Sequence, residues 1–463
     1  MTEQLQPLTS EDEAEFRAAE EAMRFFREEK QALGLEDQES WRRRVRRRGA
    51  GTFPDTHFVV DGRHFALADA VIRLRHKDNR PVCLDFNKER LRLSVAIESN
   101  IVWLDIPVAS GENADPFYFS LPYSHIKGIA RAFKKYVFAI YLHTEPSTFE
   151  ILSGSHFRGD YKCGRVSHKL EHAASAPEAK EVRPRDLARA LSVACGFATD
   201  NPDDPQSRAI WVKPERVEAG GGLAICRVEP DAEFDCEFAI GRPQATSLIH
   251  ALRCMGAARW SAYGDRHVIT DGRVGCEFTS LSERRQDLTS IIEHASDQSV
   301  AVAQHWINDR VEFAAHLSQA YGPARDTIFG LMLSDRQISV HLQGDRAQLH
   351  CVVPAIGEGE DFGDLLAHEI TGVPAVAGGD QDKASEKLPA PVAADATIKS
   401  PLKFISVSVA SLAKSLMALS PLVLPRLTFE AILSPQGKNA SVLRLDASAD
   451  NLRCRIVIPA KAR

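Results

Sequence analysis

FYFSLPYSHIKGIARAFKKYVFAIYLHTEPSTFEILSGSHFRGDYKC, residues Phe117–Cys163, reads as one strand, one helix and three further strands. FYFSLP is short, aromatic and closed by a proline, as a strand end is. From Ser124 to Tyr136 the period changes. Ile126, Ile129, Ala130 and Phe133 recur at helical spacing on one face. Lys127, Arg131 and the pair Lys134 and Lys135 fall at i, i+4 and i+7/i+8 on the other. VFAIYLHT, TFEILSG and FRGDYKC then read as strands separated by turn residues. A sheet covered on one side by a helix with a basic outer face follows from this stretch alone.

The same rhythm runs outward in both directions. Upstream, HFVV at His57–Val60 leads to a helix near Arg63–Arg75, then to PVCLDF, RLRLSVAI and NIVWLDIPV. Downstream, helices are expected at Pro184–Cys195, Pro243–Met255, Asp309–Tyr321 and Ala410–Leu419. Each has apolar strands after it, and FDCEFAIG, VAVAQHWI and KFISVSV open the last three units. Six such units of strand, helix and strands imply an α+β fold with internal repetition, and pairing them gives three tandem domains. The expected boundaries are 57–172, 183–292 and 299–463. Two segments stand outside the rhythm. Residues 1–56 form an extension with a helical stripe (Phe16, Ala19, Met23, Phe26, Leu33) and six arginines between Arg42 and Arg48. That run is either a patch for nucleic acid or an acidic partner, or a solvated arm. Residues 356–400 are rich in Gly, Asp, Ala and Pro and read as a mobile insert.

Charge separates the helices from the rest of the chain. The 463 residues carry 57 Lys and Arg against 63 Asp and Glu, a net charge of −6. The six helical windows together sum to +11, which leaves −17 for the remainder. Only the 309–321 window is negative. Basic helices within an acidic protein suit sequence-independent attraction to phosphate backbones. The candidate DNA contacts are Arg63, Arg73, Lys127, Arg131, Lys134, Lys135, Arg185, Arg189, Arg253, Lys403 and Lys414.

Composition excludes other classes. A hydrophobic fraction of 44% and a charged fraction of 26% are ordinary for globular domains, not for disordered or fibrous chains. No apolar run is long enough for a transmembrane helix, and the acidic N-terminus is unlike a secretory signal. Nine scattered cysteines without a paired framework suit the cytoplasm. Cys163, His168 and His172 have partial zinc spacing, but no fourth ligand is evident, so no metal is expected. GGG at 220–222 precedes a strand, so it makes no phosphate loop. His156, Asp160, Asp265 and His267 lie in strand and turn contexts without a partner nucleophile, and turn chemistry accounts for Asp265 and Asp271–Gly272. No catalytic residue and no cofactor is expected, and the chain reads as a non-enzyme.

Several segments carry a family resemblance. KFISVSVASLAKSLMAL (403–419) and the closing CRIVIPAKAR (454–463) resemble the last half-domain of the bacterial DNA polymerase III beta subunit, the sliding clamp. CEFTSLSERRQDLTSIIE (276–293) is similar to the end of that family's second domain, and ARALSVACGFATD (188–200) to the first helix of that domain. The order of all six units fits as well, over about 57–355 and 400–463. The resemblance implies a three-domain subunit that pairs head to tail into a homodimeric ring. Helices line a central channel around double-stranded DNA, and sheets lie outside. It also implies short peptides of DNA polymerase and clamp-loader subunits docking at Leu288, Ile291, Ile458, Pro459 and Ala460. Ala460 stands where the family has methionine and Gln286 where it has proline, so a wider or shallower groove is expected. On the same reading, deleting 458–463 should remove docking and leave the ring closed. A clamp-derived interaction module that does not encircle DNA is the alternative.

Overall fold

A computed structural model describes residues 57–73, 79–86, 90–110, 117–135, 137–143, 148–153, 157–162, 179–200, 205–221, 224–282, 299–302, 328–334, 337–343, 348–354, 403–422, 427–433, 441–449 and 451–462, with Ile292, Gln304, Ile307, Asn308 and Val311. Six helices are labelled here: α1 (Gly62–Ile72), α2 (Tyr123–Phe133), α3 (Pro184–Cys195), α4 (Pro205–Arg208), α5 (Arg242–Cys254) and α6 (Val409–Ala418). The chain forms two compact units, Met1–Ala188 with Phe234–Ser282, and Arg189–Glu233 with Glu283–Arg463.

In the first unit, α1 starts because Asp61 caps it, its carboxylate accepting from the Arg63 N–H at 2.9 Å. Phe65, Ala68, Val71 and Ile72 give α1 one buried stripe. α2 has Pro122 at its N-cap, which offers no capping side chain. Asn79 substitutes from a neighbouring segment, its Oδ1 accepting from the Ser124 N–H at 2.9 Å. α1 packs against α2, and the Tyr123 hydroxyl ties them by donating to Asp69 at 2.6 Å. Beneath them Phe138 meets Phe65 and Phe133, with ring centroids at 5.4 and 5.0 Å.

Two antiparallel sheets carry these helices. One runs Ala109–Ser110, His57–Asp61, Val137–His143, Thr148–Ser153, Phe157–Lys162. The other runs Lys180–Val182, Ala258–Tyr263, Arg266–Thr270, Val274–Thr279, Asn100–Pro107, Arg90–Ile97, Pro81–Phe86, Phe117–Pro122. Its continuity depends on the pairing of Val274–Thr279 with Asn100–Pro107, where Gly275 lies opposite Trp103. A Cβ on Gly275 would collide with the indole of Trp103. Trp103 is itself buried and lies under the Arg92 guanidinium at 5.8 Å. Gly275→Ala should therefore cost about 1–3 kcal/mol by overpacking. Denaturant titration checks this, and a variant as stable as the parent would mean the strands part without penalty.

The second unit's main sheet runs Ala209–Lys213, Arg216–Gly221, Ala224–Pro230, Leu452–Ala462, Lys403–Ser408, Ile328–Ser334, Gln337–Gln343, Gln348–Pro354. Ser441–Ala449 also pairs with Leu452–Ala462, and Leu427–Leu433 pairs with Ser441–Ala449 and Ser299–Val302. Ser408 caps α6.

The α+β class expected from the sequence is observed, and α3 spans the expected residues. FDCEFAIG departs from expectation: only Phe238–Gly241 is a strand. Phe234 and Cys236 are buried while Asp235 and Glu237 are exposed, so the alternation is real. Asp235 has φ 55°, which bends the chain out of extended geometry before Phe238. The expected helix at Asp309–Tyr321 lies outside the described residues apart from Val311, as do 1–56 and 356–400.

Candidate nucleic-acid interface

α2 divides its residues cleanly. Tyr123, Ile126, Ile129, Ala130 and Phe133 are buried against the core. Arg131, Lys134 and Lys135 are exposed, and Lys127 is half-buried. Gly128 lies on this same face, and a Cβ there would meet nothing within 4 Å. Internal packing among the described residues therefore does not require the glycine. It leaves a shallow place between Lys127 and Arg131 where a ligand backbone could approach closely. The face carries charges of one sign at helical spacing with no acid within α2, which is what a phosphate backbone needs.

α1, which carries Arg63 against Asp69, packs against α5 as well as against α2, so three helices lie side by side in the first unit. Their predicted contacts differ in kind. Arg63 is exposed, but its guanidinium is held at 2.6 Å by Asp61, the residue that caps α1. Burial pushes the Asp61 carboxyl up, but the Arg63 hydrogen bonds and charge outweigh it and bring it below its usual range. Arg63 thus completes the helix start as well as facing solvent. Arg73 follows the last residue of α1 and Arg253 lies in the last turn of α5. Both charges act on His250, a half-buried side chain of α5. Burial is the main cause of the lowered His250 pKa, and the two arginine charges add to it. The sequence reading passed over His250 because a lone histidine in a helix carries no pattern. Its spacing of three residues before Arg253 is the one signal that could have found it.

The remaining basic candidates are more scattered. Arg185 is exposed and Arg189 partly exposed on α3. In the second unit Lys414 is partly exposed on α6, and Lys403 sits in a strand opposite Leu333.

α5 is positioned by a buried polar network rather than by apolar packing alone. The amide of Asn100, the first residue of the strand Asn100–Pro107, donates to the Gln244 carbonyl at 2.9 Å and to Ser247 Oγ at 2.7 Å. Gln244 in turn accepts the Gly241 N–H at 2.8 Å, satisfying the helix start. At the other end Asp271 accepts from the N–H groups of Gly256, Arg273 and Val274 at 3.0, 2.9 and 2.7 Å. This is the turn chemistry expected for Asp271. His267 is packed in a stack with Trp260 and Phe278, and its Nδ1 accepts the Trp260 N–H at 3.2 Å. Burial lowers its pKa, opposed by the Asp265 charge. Among the described residues no group of three or more His, Cys, Asp or Glu is arranged to hold a metal, and no helix is long and apolar enough to cross a membrane. Cys163, His168 and His172 lie outside the described residues.

The predicted peptide pocket falls partly on a described strand. Leu452–Ala462 is paired along one side with Ser441–Ala449. On its other side Leu452 to Val457 pair with Ala224–Pro230, and Ala460 to Ala462 pair with Lys403–Ser408. The neighbour changes across Ile458 and Pro459, so Pro459 stands where that ladder needs no N–H. Ile458 and Ala460 are buried and Pro459 is exposed. Leu288 and Ile291 lie outside the described residues. One expectation changes. Removing 458–463 would strip ladder pairs from two neighbouring strands, so that deletion would damage the sheet as well as any docking site. Substitution at exposed Pro459 is the cleaner probe.

No protein-family model matches the sequence, and comparison with curated proteins gives no match. Solved structures do match. The beta sliding clamp of Caulobacter crescentus has a TM-score of 0.63 at 10% identity, over 87% of this chain and 98% of that one. The DNA polymerase III beta subunit of Thermotoga maritima gives 0.62 at 10% identity, over 87% and 99%. The beta subunit of DNA polymerase from Streptococcus pyogenes gives 0.63 at 12% identity, again over 87% and 99%. At such identities the likeness is one of fold, and the chain has the fold of bacterial sliding clamps.

Proposed function

We propose that this chain, having the sliding-clamp fold, is a non-catalytic processivity factor of the cytoplasm. In this reading it closes as a homodimeric ring around duplex DNA and tethers a replicative polymerase. The observation that carries the reading is the α2 surface. Its apolar face is consumed by the core, and its outer face presents Lys127, Arg131, Lys134 and Lys135. Such a face attracts phosphates without reading bases, which is what sliding requires.

Under this reading the three domains are 57–172, 183–292 and 299–463, and the helices face the DNA. Ring closure needs two surfaces that match between copies. Among the described residues, Phe157–Lys162 and Gln348–Pro354 are the end strands of their sheets, and an end strand offers unpaired N–H and C=O groups to another chain. Head-to-tail pairing of these two edges would close the ring. Polymerase and clamp-loader peptides would dock where Leu452–Ala462 changes neighbours at Pro459, with Ile458 and Ala460 as its floor.

Threading tests the ring. The full chain is mixed with linear duplex DNA bearing biotin at both ends, and streptavidin is then added. A ring that has passed over an end should stay on the capped DNA through a high-salt wash, and should leave once one cap is cut away. Ordinary electrostatic binding would be washed off in both cases. Loss from the capped DNA would favour the alternative, an interaction module that does not encircle DNA.

A further inference from the structure

We infer that His341 and His350 form a two-histidine binding site for a divalent transition metal such as zinc, on the end hairpin of the second unit's main sheet.

Register assembles the site. Gln337–Gln343 pairs antiparallel with Gln348–Pro354, and His341 lies directly opposite His350. Opposed residues share one face of a sheet, and their Cβ atoms lie about 4.5–5.5 Å apart. An imidazole nitrogen binds zinc at about 2.0–2.1 Å, so two histidines that start this close can share one ion. In sequence they are nine residues apart, which is not the spacing of a zinc motif. Only the hairpin makes them neighbours.

Three observations speak for a use of this pair. The first is the face it occupies. QISVHLQ alternates Gln337, Ser339, His341 and Gln343 with Ile338, Val340 and Leu342. Ile338 is fully buried, so the core lies on the apolar side and His341 falls in the polar series. By register His350 and Gln348 share the face of that series. Neither histidine is therefore a core residue held for its packing.

The second is the row. On the next strand Gly330 lies opposite His341, so the row reads glycine, histidine, histidine out to the end strand. Glycine brings no side chain beside His341, which leaves space for an ion and the waters that complete a tetrahedral shell.

The third is what a plain solvated face would need. Gln and Ser fill the rest of the polar series on Gln337–Gln343 and suffice for solvation. Histidine is only 16 of the 463 residues, and like charges directly opposite each other are unfavourable whenever both rings are protonated. A metal held by both neutral imidazoles turns that liability into a link between the strands.

Ligand chemistry sets the class of ion. Imidazole nitrogen suits zinc, copper and nickel, whereas magnesium and calcium take oxygen ligands. Ligation would staple the end strand to its neighbour. That strand is one of the two edges offered for ring closure above, but the site depends on the hairpin alone and not on the clamp reading.

The test uses the full chain, stripped of metal with a chelator and then titrated with zinc at neutral pH. Cysteines and other histidines also bind zinc, so the readout is the difference between wild type and variants. His341→Gln and His350→Gln should each bind one equivalent fewer than wild type. The double variant should lose no more than either single one, because each already breaks the same site. Glutamine already stands at 343 and 348 on this face, so these variants should fold, and circular dichroism without metal checks it. Zinc at about five times its dissociation constant should raise the melting temperature of wild type by about 2–4 °C, and that of the variants by less. His350→Asp keeps a ligand and should bind the equivalent more weakly instead of losing it. Equal zinc stoichiometry in wild type and both single variants overturns the site. A loss in only one of them also overturns it, since that histidine would then bind with other groups. An equal melting shift with magnesium would mark a general ionic effect and overturn it too. Retention on end-capped DNA is measured separately, so failure here leaves the clamp reading as it stands.

Discussion

Glu218→Ala should destabilise the second unit by about 3–5 kcal/mol, the range for breaking a buried ion pair from one side. Glu218 and Arg227 are 0% and 1% exposed, and Arg227 Nε donates to Glu218 at 2.6 Å. They face each other directly across Arg216–Gly221 and Ala224–Pro230. The pair belongs to a row that continues through Arg455 and Asp446 on the next two strands. Arg216 approaches Glu218 at 3.4 Å, and Glu229 approaches both Arg227 and Arg455, at 3.8 and 3.6 Å. Removing the Glu218 carboxylate leaves the Arg227 guanidinium inside the protein without the acceptor of its Nε, the Glu229 carboxylate standing at 3.8 Å. The expected result is a lower denaturation midpoint for this unit. Glu218→Gln keeps an acceptor and should cost less. Glu218→Leu combined with Arg227→Met should recover much of the loss, because an apolar pair of similar volume avoids the desolvation cost. A single-variant loss below about 1 kcal/mol would mean that water reaches the pair. The row includes Arg455, on the same strand as Pro459.

The sequence revealed this fold through periodicity more than through identity. α3 could be read to the residue because Pro184 opens it and its apolar positions repeat without interruption. PVCLDF, RLRLSVAI and FYFSLP were equally plain, since each is bounded by turn or proline residues. What could not be read was the pairing between distant segments. Nothing local in VGCEFT shows that it lies against NIVWLDIP. Only the structure shows that Gly275 is there because Trp103 occupies the space a side chain would need. FDCEFAIG shows the reverse error. Its alternation predicts burial correctly, but burial alternation requires only an extended chain, and Asp235 breaks the ladder. The candidate interface divides in the same way. The α2 charges were legible because one helix carries them all. The influence of Arg73 on His250 was not, because the two come from segments far apart in sequence that only the packing of α1 on α5 brings near.

Neutralising Lys127, Arg131 and Lys134 together should separate two properties that the clamp reading treats as distinct. Each phosphate contact contributes about 0.9 to the salt slope of duplex binding, so three lost contacts lower the slope by about two to three units. Such contacts contribute little near 1 M salt. The affinity loss therefore widens toward low salt, to roughly a thousandfold near 50 mM. Arg131 and Lys134 are exposed and Lys127 is half-buried, so the fold should survive, and circular dichroism would confirm it. Retention on end-capped DNA is a different matter. A closed ring is held by topology, and its release depends on the subunit interface rather than on α2. The triple variant should thus bind open linear duplex poorly and still be trapped by the caps once threaded. Retention lost along with affinity, in a folded protein, would mean that charge alone holds the DNA and no ring is formed. Affinity and salt slope both unchanged would mean that α2 does not face the nucleic acid, and the basic surface would have to be sought on α3 or at Arg73 and Arg253. A loss that depended on base sequence would argue against sliding altogether, because contacts made only to phosphates weaken every sequence alike.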